Sequence, residues 1–128
     1  MSDSADASRG YLRVIIAGSR DLPKWVFDKA ICHMPWNPTC VLSGGARGAD
    51  SFGEEWAKSC GIEVRRFPAD WETHGKSAGF KRNLEMAGSA DALFAIWDGK
   101  SKGTKHMIDI AIKKGLKYHI YEYAVADL

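Results

Sequence analysis

Cysteine is scarce in this chain: 3 residues, Cys32, Cys40 and Cys60, with no pair at CxxC spacing. An odd count without that spacing argues against a disulfide framework or a cysteine zinc site. It predicts buried free thiols in a reducing, cytoplasmic setting. The 4 histidines, His33, His74, His106 and His119, have no metal-ligand spacing either, so no metal is expected. No apolar run approaches the roughly 20 residues that cross a bilayer, which argues against a membrane partner. Residues 1–10 contain no apolar segment of the kind that directs secretion; they are polar and read as a disordered lead-in. Residues 11–128 read as a single domain. A charge excess is also missing: 18 basic against 16 acidic residues leave a net +2, which neither demands nor excludes nucleic acid as a partner. Neither GxxxxGK[ST] nor GxGxxG occurs, which disfavours a P-loop ATPase or an ordinary dehydrogenase, and no cofactor is expected.

What the chain does have is a regular alternation of short apolar runs and amphipathic ones. Residues 12–17 are almost continuously apolar with β-branched centres, which predicts a strand buried on both faces. Pro23 suits the first turn of a helix that Asp21 would cap, with Val26, Phe27, Ala30 and Ile31 as its stripe. A second strand is expected over 39–42, then a helix over 51–60 with Phe52, Trp56 and Cys60 on one face and Gly61 as its stop. Residues 62–67 alternate, as an edge strand does. Residues 68–77 read as a loop. In it Trp71 is assigned to the core in preference to a platform for a base, and Trp25 and Trp36 are assigned to packing. A helix over 76–88 would turn Phe80, Leu84 and Ala87 to one side. A buried strand over 91–97 follows, then a helix carrying Met107, Ile108, Ala111 and Ile112 and ending at Lys113 and Lys114, and a last strand over 118–121. The order β-α-β-α-β-α-β-α-β predicts an α/β fold, a Rossmann-like open parallel sheet of about five strands with helices on both faces.

In such sheets ligands bind beyond the carboxyl ends of the strands. Three loops there carry suitable chemistry, and the strand order 3-2-1-4-5 would make them neighbours. The first holds Gly18, Ser19 and Arg20. The second runs from Ser43 to Asp50; Gly44, Gly45 and Gly48 allow close backbone approach, and Arg47 offers a forked donor for phosphate. Its bland alternative is a tight turn joining strand to helix. The third holds Asp98, Gly103 and Thr104, a bare backbone N–H and a hydroxyl at a helix entry. The alternative is a helix start capped by Ser101 among solvated lysines.

The motifs GSRD, SGGARGAD, FPADW, GKSAGFKRNLEM and WDGKSKGT together resemble the YspA-related branch of the SLOG superfamily, over residues 13–121. That superfamily includes the Lonely Guy nucleoside-monophosphate phosphoribohydrolases, the DNA-processing protein DprA and sensors of nucleotide-derived signals in antiviral defence. The resemblance implies a pocket for a nucleotide or nucleotide derivative lined by Gly18, Ser19, Gly44, Gly45, Arg82, Asn83, Gly103 and Thr104. It adds Arg82, as a phosphate or ribose contact, and Asn83; periodicity alone leaves Arg82 as solvated surface beside Lys81. It also implies a homodimer or higher oligomer. One departure stands out. The Lonely Guy enzymes carry PGGxGTxxE, and Met107 stands where that glutamate would be. A thioether cannot serve as acid or base. Asp50 and Asp98 are the remaining candidate acids, although a helix cap or a ribose hydroxyl acceptor is the preferred role for both. The leading expectation is binding of a nucleotide-derived small molecule. The alternatives are an N-glycosidic hydrolase using a non-standard carboxylate, and DprA-like nucleic-acid binding suggested by Lys100, Lys102, Lys105, Arg65 and Arg66.

Overall fold

In the computed structural model, residues 11–124 are described; the expectation for residues 1–10 lies outside them. The apolar runs form β1 (Arg13–Gly18), β2 (Cys40–Ser43), β3 (Glu63–Arg66), β4 (Ala92–Trp97) and β5 (Lys117–Glu122). All pairings are parallel, and the sheet order is β3-β2-β1-β4-β5. The central strands are inaccessible on both faces, so nearly every residue in them had to be apolar: Val14, Ile15, Val41, Leu42, Leu93 and Phe94 are all 0% exposed. Successive side chains divide between two cores. Val14, Ile16, Val41, Phe94 and Ile96 meet α1 (Lys24–Ile31) and α2 (Ala49–Ser59), through Val26, Phe27, Ala49 and Ala57. Ile15, Leu42, Leu93 and Ala95 meet α4 (Ala78–Ser89) and α5 (Lys102–Lys113), through Met86, Ala87, Met107 and Ala111. Among the described residues no helix is long and apolar enough to cross a membrane.

Several local expectations are corrected. Pro23, not Asp21, stands at the N-cap of α1 and caps nothing with its side chain; Asp21 accepts from Arg47 Nη2 at 3.4 Å instead. Only Cys40 is buried, while Cys32 and Cys60 are exposed, because each lies just past the end of a helix and off its inner face. The buried face of α2 is Ala49, Gly53, Glu54 and Ala57, with Phe52 and Trp56 at its flank. Small residues let α2 lie close on β1: a Cβ at Gly53 would sit 3.0 Å from Ile16. The expected loop contains a one-turn helix, α3 (Trp71–His74), and a 3-10 turn (Gly75–Ser77). Asp70 starts α3 by accepting from the N–H of Thr73 at 3.1 Å.

Trp71 is 52% exposed and is not a core residue. Phe80 and Leu84 are also half-exposed, because α4 turns Ala78, Asn83, Met86 and Ala87 inward. Ile112 is half-exposed, and so is Trp25, whose ring carries the Lys29 ammonium 5.7 Å from its centroid. Ser101 caps α5, the alternative reading of this helix entry, and accepts from the N–H of Thr104.

Candidate functional site

Because β1 lies between β2 and β4, the loops leaving these three strands meet at one end of the sheet. They enclose a cavity of about 460 Å3. The β1 loop contributes Gly18, Ser19, Arg20 and Asp21; the α2 entry contributes Ala46 and Asp50. Helix α4 contributes Arg82, Asn83 and Met86, and the β4–α5 connection contributes Asp98, Lys100, Ser101, Gly103, Thr104 and Met107.

The glycines have separate jobs. At Gly48, φ is +75° and a Cβ would stand 2.4 Å from the Ser19 carbonyl and 2.5 Å from that of Arg20. Gly48 therefore lets the β2 loop rest on the β1 loop, where the N–H of Ala49 also donates to the Ser19 carbonyl. At Gly44 a Cβ would fall 2.6 Å from Arg82 Nη1 and 2.9 Å from Asp50 Oδ2. A bare backbone here is what allows the guanidinium and the carboxylate to flank the same point.

Arg82 is held by two bonds: Nη1 donates to the Gly44 carbonyl at 2.7 Å and Nε to Asn83 Oδ1 at 3.1 Å. Its Nη2 has no protein acceptor among the described residues. Asn83 is 7% exposed and is bonded at both ends of its amide, since Nδ2 also lies 3.1 Å from His106 Nδ1. With Nδ2 as donor, His106 Nδ1 is an acceptor, so the ring is neutral with its proton on Nε2. Burial, only partly opposed by Asp109, holds the imidazole below its usual pKa and favours that form. Phe80 packs on the same ring at 4.2 Å between centroids. This relay of Phe80, His106, Asn83 and Arg82 fixes a cation at the cavity wall.

Asp50 lies in the first turn of α2, where its Oδ2 accepts from the N–H of Ala46 at 3.1 Å. Burial pushes its carboxyl up to about 6, against the lowering effects of the Ala46 N–H and the Arg82 charge. Asp98 does different work. Its Oδ1 accepts from the N–H groups of Lys100 and Ser101, both at 2.8 Å, and shapes the turn before α5. Ser43 is 1% exposed; its hydroxyl donates to Glu54 Oε2 at 2.6 Å and accepts from the N–H of Gly45. Glu54 Oε1 in turn holds Arg66 through Nε at 2.9 Å and Nη2 at 2.6 Å. Burial alone would raise the Glu54 carboxyl, but the bonds from Arg66 and Ser43 outweigh it and hold it below the ordinary carboxylate range.

A second cavity, of about 580 Å3, adjoins the first and shares Arg20, Ala46 and Arg82 with it. Its own walls are Gly44, Gly45, Arg47, Arg66, Pro68, Ala69 and Trp71. The candidate residues thus divide. Gly18, Ser19, Arg20, Asp50, Arg82, Asn83, Asp98, Gly103 and Thr104 line the first cavity; Gly44, Gly45 and Arg47 line the second. Ser43 and Gly48 border neither, and brace the loops from behind. Met86 was not foreseen as a wall; Arg66 and Lys100 were named only as cations for nucleic acid, Met107 only as the residue at the glutamate position, and Trp71 as a base platform ranked behind the core. Arg66 ends β3 at the same sheet edge as the three loops, and Met107 lies one turn beyond Gly103 and Thr104, so position could have found both. No periodicity marks Trp71.

Residues 12–74 match the sequence model of the YspA, cpYpsA-related SLOG family (YAcAr). The Gene 61 protein of Mycobacterium phage D29 is 38% identical over 117 residues, covering 81% of this chain and 91% of that protein. The fold is similar to the X-ray structure of DNA processing protein A (DprA) from Streptococcus pneumoniae. The TM-score is 0.73 at 16% identity, over 93% of this chain and 53% of the DprA chain. The chain thus spans about half the length of DprA.

Proposed function

The chain belongs to the YspA, cpYpsA-related SLOG family, and on that premise we propose that the first cavity binds a nucleotide or nucleotide-derived small molecule. The observation that carries this reading is the convergence, on one cavity, of a fixed Arg82 with an unbonded Nη2, two helix entries and the β1 loop. Phosphate is held by Arg82 and by the N–H of Gly103, which lies in the first turn of α5 where no intrahelical acceptor exists. The raised Asp50 carboxyl suits a ribose hydroxyl, because a donated hydrogen bond relieves its desolvation.

Thermal melting against AMP, ADP-ribose, NAD and cyclic dinucleotides tests this. A ligand at 100 times its Kd stabilises by about 2.7 kcal/mol, which is roughly 3–8 °C for a domain of this size. The shift is expected to vanish in Arg82→Ala. No shift with any member of the panel overturns the reading.

A hydrolytic reading is favoured by one observation, a carboxyl with pKa of about 6 on the cavity wall. Protonated Asp50 would give its proton to the departing base as the C1′–N bond breaks, and the water that adds at C1′ of the ribose would return a proton to the Asp50 carboxylate. Met107, 1% exposed on that wall, supplies no acid. Release of free base from AMP, lost in Asp50→Asn, is the test. Nucleic-acid binding has less support. Of the cations that suggest it, Lys105 is paired with Asp109, Arg65 with Tyr11 and Glu63, and Arg66 with Glu54, which leaves Lys100 and Lys102 without an ion pair among the described residues.

A further inference from the structure

We propose that the second cavity is a distinct subsite for the distal half of a diphosphate-bridged dinucleotide, with Trp71 as the platform for its second base. The proposal rests on the reading of the first cavity as a nucleotide site. Four arginines, Arg20, Arg47, Arg66 and Arg82, line the second cavity, and no carboxylate does. The first cavity differs, since Asp21, Asp50 and Asp98 balance its cations. A cavity of balanced charge and one lined by cations alone meet at Arg20, Ala46 and Arg82, the point where a bridging diphosphate would cross.

The arginines differ in what they already hold. Arg82 and Arg66 are fixed, the first on the Gly44 carbonyl and the second on Glu54. Arg20 makes no side-chain hydrogen bond among the described residues. Arg47 has only the loose 3.4 Å pair with Asp21, with both side chains largely exposed. So the crossing offers one rigid guanidinium and one that is free to fold over the ligand. Gly45, at φ +77° and with open space where a Cβ would be, gives the diphosphate room against the loop backbone.

Trp71 is what separates this subsite from a plain anion site. An indole 52% exposed on a one-turn helix contributes little to the core. No other ring stacks on it and no cation covers it among the described residues. Asp70 holds the start of α3, so the indole is presented from a fixed turn. An exposed aromatic in a cavity lined by arginines and by no carboxylate recognises a flat ring carried on phosphate. Inorganic phosphate or a sugar phosphate would leave the indole without a partner.

The experiment is calorimetric titration of the full chain with AMP and with diadenosine diphosphate, for the parent and for Trp71→Ala and Trp71→Phe. The parent is expected to bind the dinucleotide at least tenfold more tightly than AMP. Trp71→Ala should lose about tenfold for the dinucleotide and change AMP binding less than about twofold, because AMP occupies the first cavity. Trp71→Phe should recover most of the loss. An unchanged melting temperature confirms that the variants fold. AMP binding with no dinucleotide advantage, or an equal loss for both ligands in Trp71→Ala, overturns the proposal and leaves the first cavity's reading standing. Binding of neither probe overturns both. A single-stranded oligonucleotide that outcompetes the dinucleotide, with steep salt dependence, overturns it in favour of a polymer.

Discussion

Asp50→Asn is the substitution whose consequence can be worked out furthest. Burial raises the Asp50 carboxyl from 3.8 to about 6. The folded state then binds more protons than the unfolded state between those values, so this group's contribution falls as pH rises through that window. Linkage puts the cost of the ionised carboxylate at about 0.5 kcal/mol at pH 4 and about 3 kcal/mol at pH 7. Asparagine keeps an oxygen for the N–H of Ala46 and carries no charge, so it reproduces the protonated side chain. The variant is expected to be more stable than the parent at pH 7 by about 3 kcal/mol, with the gap closing toward pH 4. Urea denaturation of both proteins at pH 4, 5, 6 and 7 measures this. Taking the difference removes the opposite trend from Glu54 and Asp91, whose carboxyls sit below their usual range. A gap that is constant with pH would refute the burial argument. If Asp50 is kept in the cavity for a ligand, as proposed, the same variant should bind more weakly while melting higher.

The remaining expectations concern how the loops are held. Gly48→Ala combines φ +75° with a Cβ 2.4 Å from the Ser19 carbonyl, and should cost about 3 kcal/mol or more in denaturant unfolding; a change below about 0.5 kcal/mol would remove the loop-on-loop contact from the account. Gly44→Ala should displace the Arg82 guanidinium, lowering nucleotide affinity about tenfold with little change in melting temperature; unaltered affinity would show that Arg82 is not a ligand contact. Glu54→Gln frees Arg66 and weakens the buried bond to Ser43, and is expected to cost about 1–2 kcal/mol at neutral pH. Because the Glu54 carboxyl is depressed, that loss should shrink as pH falls below the ordinary carboxylate range, and a loss independent of pH would contradict the pairing.

The sheet was legible because parallel strands buried on both faces leave a plain mark, a short and nearly continuous apolar run, and because loop chemistry pointed to the order 3-2-1-4-5. The loops of the first cavity were legible for the same reason, since each follows such a run. The resemblance supplied Arg82 and Asn83, which periodicity assigns to solvent. The failures have a common physical cause. Apolar content was taken as the measure of burial, but α4 buries Asn83 and exposes Phe80 and Leu84, because bonds to Arg82 and His106 at the two ends of the amide offset the cost of burying it. Likewise α2 turns Gly53 to β1 because a helix lying that close tolerates no larger side chain. Trp71 was assigned inward on size, yet it sits on a one-turn helix that has no buried residue.

The most direct measurement is a crystal structure of the protein soaked with AMP. The phosphate is expected within hydrogen-bond distance of Arg82 Nη2 and the N–H of Gly103, with a ribose hydroxyl on Asp50. A phosphate bound away from Arg82, or an empty cavity at an AMP concentration that shifts the melting temperature, would contradict it.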